Sequence, residues 1–312
     1  MNKAFARTMY VSLGHTLHPW YEKASAWVVE NRRNLSWLTT AFALIALMWL
    51  LSSRGGWMTL FQATIENKLF LLFAILLWPI NLGMEAWKWQ RLSSNVLVEL
   101  DAKTPYRSWI DIWKEVLVGQ TWALLGPFRL ADGAGRISAT SDSRLKGAAG
   151  AKAFAIGAAC QGWITWWWAV LALAIAGKPL AAVILGLGMT MISIWASTFF
   201  SLFLGLLCGG RYITFACQYL LMLSAWGVLS PTDWMTEGFP KIAALWCAVG
   251  SIPWPAELGV REAAAAWMFD GNLPGVIAAT FALWILNRAG PAALGLIWVG
   301  RAWQVNKNGR ID

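Results

Sequence analysis

Charged and amide side chains that interrupt apolar runs are the residues of this sequence with chemistry to offer. Two segments concentrate them. In the first, Arg129, Asp132 and Arg136 follow Gly126-Pro127, close behind Gly119-Gln120-Thr121. In the second, Glu257, Gly259, Arg261 and Glu262 follow the break Pro253-Trp254-Pro255. A guanidinium matches the oxygens of a phosphate as a planar, directional donor. The helix ends freed by a Pro/Gly break add backbone N–H groups that favour anions. Arg129, Arg136 and Arg261 are therefore expected to hold a phosphate. Glu257 and Glu262 would pair with them or receive a cationic headgroup. The same charges could equally close a structural salt-bridge network. A third candidate set is Asn81 and Glu85, one helical turn apart, with Lys88 next on that face; these would line a cavity or form an interfacial ion pair.

The elements that position these groups are membrane helices. Of 312 residues 58% are hydrophobic and only 13% charged. A soluble domain carries about 25% charge, so this chain cannot cover a water-facing surface of ordinary size. The expected fold is all-α: a polytopic integral membrane bundle of seven to eight transmembrane helices with two re-entrant or broken helical elements. Residues 1–34 read as an amphipathic cytoplasmic segment, 35–303 as a single bundle, and 304–312 as a short basic tail. Full crossings are expected over Leu35–Leu51, Leu69–Trp87, Phe154–Ile175, Leu180–Leu207, Tyr212–Leu229, Leu273–Leu286 and Pro291–Trp303. Val116–Pro127 and Ile242–Ile252 are apolar but too short to cross, since a spanning helix needs about 20 residues. Non-helical backbone at membrane depth survives only inside protein or beside water, so both breaks should face the bundle interior. Basic flanks around the first two crossings place the N-terminus in the cytoplasm. Seven crossings would leave the basic C-terminal tail outside, and an eighth would bring it in.

The net charge of +9 fits anionic headgroups at the membrane surface; no soluble basic module is present to bind nucleic acid. Cys160, Cys208, Cys217 and Cys247 lie within apolar runs without metal spacing and read as core residues. His15 and His18 have no further ligands near them, so no metal site is expected. Gln161 and Gln218 read as interhelical hydrogen-bond links, and Asn287-Arg288 as a span end with a snorkelling arginine. No catalytic triad, Walker loop or dinucleotide fingerprint occurs, and no cofactor is implied.

The stretch Pro253-Trp254-Pro255-Ala256-Glu257-Leu258-Gly259-Val260-Arg261-Glu262 resembles the Pro-x-x-x-Gly-Gly-x-Gly-x-Arg-Glu signature of the lysylphosphatidylglycerol synthase transmembrane family, which includes the flippase half of the multiple peptide resistance factor. Asn81-Leu82-Gly83-Met84-Glu85 with Trp87 to Leu92, and Gly119-Gln120-Thr121 to Pro127 with Gly133, Gly135 and Arg136, are similar to it as well. The resemblance covers most of the chain from Leu69 to Ala302 and rests mainly on Gly259, Arg261 and Glu262. It implies a flippase-type fold in which lipid headgroups enter a cavity lined by re-entrant helices, with Arg261 and Glu262 on one side and Arg129 and Arg136 opposite. Ala256 and Glu257 replace the family's paired glycines, and the cytosolic aminoacyl-transferase domain of the fused members is absent. The function expected is movement of a phosphate-bearing lipid, phospholipid or polyprenyl lipid, between leaflets of the cytoplasmic (inner) membrane. The alternatives are an enzyme acting on a lipid-linked sugar or polyprenyl phosphate, with Glu257, Glu262 and Asp132 as its acid–base candidates, and a non-catalytic scaffold for a separate synthase. A homo-oligomer is compatible with all three.

Overall fold

The computed structural model describes residues 63–100, 107–125, 130–196, 201–251, 260–269 and 271–308. Among them the chain is helical and contains no strand: α1 (Lys68–Glu99), α2 (Trp109–Leu125), α3 (Leu130–Ala139), α4 (Ala148–Ile175), α5 (Pro179–Ala196), α6 (Leu202–Ala225), α7 (Phe239–Ser251), α8 (Val260–Met268), α9 (Leu273–Trp284) and α10 (Gly290–Asn308). A π-helical turn, Ile285–Ala289, joins α9 to α10 without a break. The expected first crossing at 35–51, the segment 1–34, His15, His18, Arg129, Glu257 and Gly259 lie outside the described residues. The expected tail begins inside α10, which continues to Asn308.

Polarity in α1 is inverted relative to a soluble helix. Asn81, Glu85, Lys88 and Trp89 are buried, while Leu69, Leu72, Leu76 and Ile80 are exposed on the other side. The same holds for α5, where Leu180, Val183, Ile184, Leu187 and Met191 form an exposed apolar face. Water would not tolerate so much contiguous apolar surface; hydrocarbon does. Among the described residues four helical stretches are long and apolar enough to cross a membrane: Lys68–Glu99, Ala148–Ile175, Leu202–Ala225 and Leu273–Val299. Pro179–Ser193 is a shorter apolar helix. The described part of the chain is thus all-helical and suited to a membrane.

Two expected boundaries move. The fourth and fifth crossings were expected to meet at Gly209-Gly210-Arg211, yet α6 runs straight through these residues. Glycine costs a helix about 1 kcal/mol, but Gly210 lets α6 lie beside α1, where an added Cβ would sit 3.3 Å from Met84 Sδ. Arg211 needs no membrane edge, because Glu85 neutralises it across the helix pair. Likewise the last two expected crossings are one helical stretch, with Asn287-Arg288 inside its π-helical turn rather than at a span end.

The first broken element is an antiparallel helical hairpin. α2 and α3 cross at Gly119 and Gly135, so closely that a Cβ on Gly135 would lie 2.9 Å from the Gly119 Cα. Glycine is required there by the approach of two backbones. α3 has 10 residues, about 15 Å of helix, half of a hydrocarbon core of about 30 Å. α10 closes over the hairpin: Thr121 donates to the Ala292 carbonyl at 2.7 Å, and a Cβ on Gly295 would meet the Leu117 carbonyl oxygen at 2.2 Å. The second broken element has the same plan in shorter helices, α7 (13 residues) and α8 (9 residues). Its residues Ile242, Leu245, Val249, Ala265 and Phe269 share one apolar core with α6 and α9.

Hydrogen bonds between element ends sort the bundle into two poles. At one, the N–H groups of Glu66 and Asn67 donate to the Ala225 carbonyl (2.8 and 3.1 Å), and Asn272 Nδ2 donates to the Trp226 carbonyl at 2.9 Å. This pole gathers the start of α1, the end of α6 and the start of α9, so the α7–α8 hairpin opens there. At the other pole Lys152 pairs with Glu99, and Arg107 bonds Ser93 at 2.5 Å and Thr140 at 3.4 Å. The α2–α3 hairpin opens at this second pole. The two hairpins enter the bundle from opposite ends.

Candidate functional site

Glu85 lies near the middle of α1 and is 4% exposed. A lone carboxylate buried at this depth must be paired or neutralised, and three cations reach it. Lys88 Nζ is 2.7 Å from Oε2, Arg136 Nη2 is 2.9 Å from Oε1, and Arg211 Nη1 is 2.6 Å from Oε2. They come from α1, α3 and α6, so this one residue ties the first hairpin to two crossing helices.

Each cation has further support. Arg136 makes a two-pronged contact with Asp132, 2.7 Å from Nε and 2.8 Å from Nη2. Its guanidinium also lies 5.6 Å from the Trp89 ring and 5.7 Å from the Phe154 ring, cation–π range. Arg211 Nε donates to Asn81 Oδ1 at 3.1 Å. Asn81 Nδ2 in turn donates to Asn287 at 2.8 Å and Gln218 at 3.3 Å, and Gln218 donates to the Ala74 carbonyl at 3.1 Å. Arg288 donates to Gln120 Oε1 at 3.1 Å. The polar groups of α1, α3 and α6 and Asn287 of the π-helical turn therefore form one connected set, and Arg288 of the same turn pairs with Gln120 of α2.

These residues surround a cavity of about 210 Å³. Among the described residues four cations line it, Lys88, Arg136, Arg211 and Arg288, against two carboxylates, Glu85 and Asp132. The excess of two positive charges sits among apolar helices, where electrostatic attraction is far stronger than in water. Such a site suits an anion, a phosphate group above all. Aromatic rings of α4, α6 and α7, including Trp166, Tyr212 and Trp246, form the facing wall.

Of the expected residues, the structure brings Asn81, Glu85 and Arg136 into one network, and Glu85, Gln120 and Arg136 line the cavity. Glu85 and Lys88 are an ion pair as well as cavity residues, and the pair is buried rather than interfacial. Arg261 and Glu262 are placed elsewhere. They are not among the lining residues; Arg261, 1% exposed, bonds Glu262 at 3.0 Å and the Thr280 carbonyl at 3.3 Å. Of the expected clamp, Arg129 lies outside the described residues and Arg261 stands away from the cavity: α8 turns its charged pair toward α9, and Arg136 shares the cavity with Lys88, Arg211 and Arg288. Arg288 does not snorkel from a helix end, because the uninterrupted helix holds it at mid-length beside Gln120.

Sequence reasoning passed over Arg211 and Asn287 as site residues. A usable signal existed for Arg211: it stands alone in one apolar run while Glu85 stands alone in another, and buried charges pair. The glutamines act as the interhelical links expected, Gln218 to α1 and Gln161 Nε2 to the Cys208 carbonyl at 3.4 Å. None of the four cysteines forms a disulfide, and Cys160 and Cys208 are buried. Among the described residues no group of three metal-ligating side chains occurs. No family model, curated protein or solved structure matches the chain.

Proposed function

We propose that this protein moves a phosphate-bearing lipid between the leaflets of a membrane, holding the headgroup in the cavity around Glu85, Arg136 and Arg211. The observation that carries the reading is the excess of two positive charges in a cavity midway along apolar helices. Burying such charge is costly unless an anion comes to meet it. Acyl chains would stay in the bilayer while the phosphate engages Lys88, Arg211 and Arg288.

The membrane arrangement follows the same reading. The expected crossing at 35–51 with α1, α4, α5, α6 and the joined α9–α10 helix makes six crossings, and the two hairpins are re-entrant from opposite faces. The pole bearing Arg107, Arg144, Lys146 and Lys152 is then cytoplasmic, as is the N-terminus. The acidic loop with Asp233 and Glu237 lies outside. An even number of crossings returns the basic C-terminal residues to the cytoplasm, so no eighth crossing is needed. Oppositely entering hairpins beside a central site are a recurrent transporter plan. The resemblance to the lysylphosphatidylglycerol synthase transmembrane family points the same way. The enzyme alternative is less well supported, since both cavity carboxylates are engaged by cations.

Reconstitution in liposomes with a fluorescent phosphatidylglycerol tests the proposal. Wild type should move the label between leaflets. Arg211→Gln should slow it at least tenfold; Arg211 is the least buried of the three cations on Glu85, so its loss disturbs the fold least. Equal movement by wild type and variant, or none by wild type, overturns the reading.

A further inference from the structure

Two uncharged side chains that line this cavity each carry a buried oxygen with no hydrogen-bond partner among the described residues: the Tyr212 hydroxyl and Gln161 Oε1. Neither is free to turn to water. Tyr212 is 4% exposed, its ring stacked on Trp168 (centroids 5.2 Å apart, planes 5° apart) and met edge-on by Trp246 at 4.8 Å. Gln161 has its amide nitrogen committed to the Cys208 carbonyl, which leaves Oε1 as the end without a partner. Buried polar groups almost always find a partner, and in an apolar bundle the alternative is a full desolvation penalty.

What could satisfy them is narrowed by chemistry. Gln161 Oε1 only accepts, so it needs a donor, and an ionised phosphate has none to give. An ammonium group would donate, but it would enter a cavity already carrying two positive charges in excess, whose carboxylates are both held by arginines. A hydroxyl remains. It donates to Gln161, exchanges either role with Tyr212, and carries C–H groups that pack on the rings of Trp166, Phe215 and Trp246.

We infer that the headgroup bound here is a polyol phosphate (glycerol, inositol or a sugar), with its phosphate on the cationic wall and its hydroxyls on Gln161 and Tyr212. The inference rests on the phosphate-lipid reading above and names the class of headgroup within it. Binding to the purified full chain in detergent, followed by tryptophan fluorescence, tests it with dioctanoyl phosphatidylglycerol, dioctanoyl phosphatidylmethanol (a phosphodiester of the same charge with no headgroup hydroxyl), dioctanoyl phosphatidylethanolamine and sn-glycerol 3-phosphate. Wild type should prefer phosphatidylglycerol to phosphatidylmethanol by about tenfold, the worth of two ordinary hydrogen bonds. Tyr212→Phe and Gln161→Leu, singly and together, should bring that ratio toward one. An equal affinity for the two lipids in wild type, a ratio unmoved in the variants, or a preference for phosphatidylethanolamine overturns the inference. Glycerol phosphate binding as tightly as the lipid would support the polyol subsite while counting against lipid transport. Binding with the expected preference but no movement in liposomes would likewise sink the transport reading alone. Absence of binding by every phosphate compound would remove both.

Discussion

Replacing Glu85 by glutamine keeps the shape of the side chain and removes the charge that three cations share. At 2.6–2.9 Å each contact represents about 6 kcal/mol of attraction at an effective dielectric near 20. Most of that is offset by the several kcal/mol needed to desolvate each ion. Arg136 keeps Asp132 and Arg211 keeps Asn81, and glutamine still offers one accepting oxygen. Removing one partner of a buried pair costs about 3–5 kcal/mol, and these remaining contacts put Glu85→Gln near the low end, about 3 kcal/mol. For a chain of this size that is a fall in melting temperature of roughly 6 °C, readable by thermal unfolding in detergent. The double variant Glu85→Gln/Arg211→Gln should be more stable than the sum of the single changes by about 1–3 kcal/mol, because one orphaned charge leaves with its partner. Phosphatidylglycerol should also stabilise Glu85→Gln more than wild type, the cavity then carrying three excess positive charges. A melting temperature within about 1 °C of wild type, or strictly additive single changes, refutes the shared-carboxylate argument.

Gly119→Ala should cost about 3 kcal/mol of thermal stability, the upper end of overpacking, since its Cβ would lie 2.3 Å from Asp132 Oδ1 and 2.9 Å from the Asp132 carbonyl oxygen; Gly188→Ala, with nothing within 4 Å, should be neutral or slightly stabilising in the same assay. Arg261→Met should lower stability by about 3–5 kcal/mol by removing the buried guanidinium that bonds Glu262 and the Thr280 carbonyl, and leave the phosphatidylglycerol affinity of the folded protein unchanged in a binding titration. The Asp142 carboxyl is held below its usual range chiefly by the hydrogen bond from Arg144. Its folded pKa is depressed, so its small stabilisation is present above the unfolded value of about 3.9 and fades as pH falls below it; an acid titration of stability should show Asp142→Asn losing this component.

Much of the scaffold was legible in the sequence because hydrocarbon imposes simple demands. The apolar runs that became α1, α4 and α6 are long and nearly free of charge, and the Pro/Gly breaks in runs too short to cross became the two hairpins. The glycines that flank the first break, Gly119 and Gly135, were visible as part of a motif; their role as a backbone crossing was not. Boundaries were misjudged wherever a charge sat inside a run. Arg211 and Arg288 read as helix ends because an unpaired cation belongs at the membrane edge. Each instead meets a partner from a helix far away in sequence, Glu85 or Gln120, and one chain read in order does not display such pairings. The same blindness misplaced Arg261. Its resemblance-based assignment to the cavity depended on which way α8 faces, and that is decided by packing against α6 and α9 rather than by local spacing.

The two hairpins share a plan but not an electrostatic condition, and the difference locates the site. In the first, Arg136 is one of four cations around two carboxylates, all lining a cavity. The field there attracts a third anion, and the space to receive it exists. In the second, Arg261 stands beside Glu262 and beneath the Thr280 carbonyl, with its neighbours Tyr219 and Phe269 in a packed apolar core. A charge balanced by its sequence neighbour and sealed by packing exerts little pull on a ligand, but it holds α8 to α9 firmly. On the proposed function the first hairpin is the element that binds, and the second, entering from the opposite pole, is the brace against which it is held.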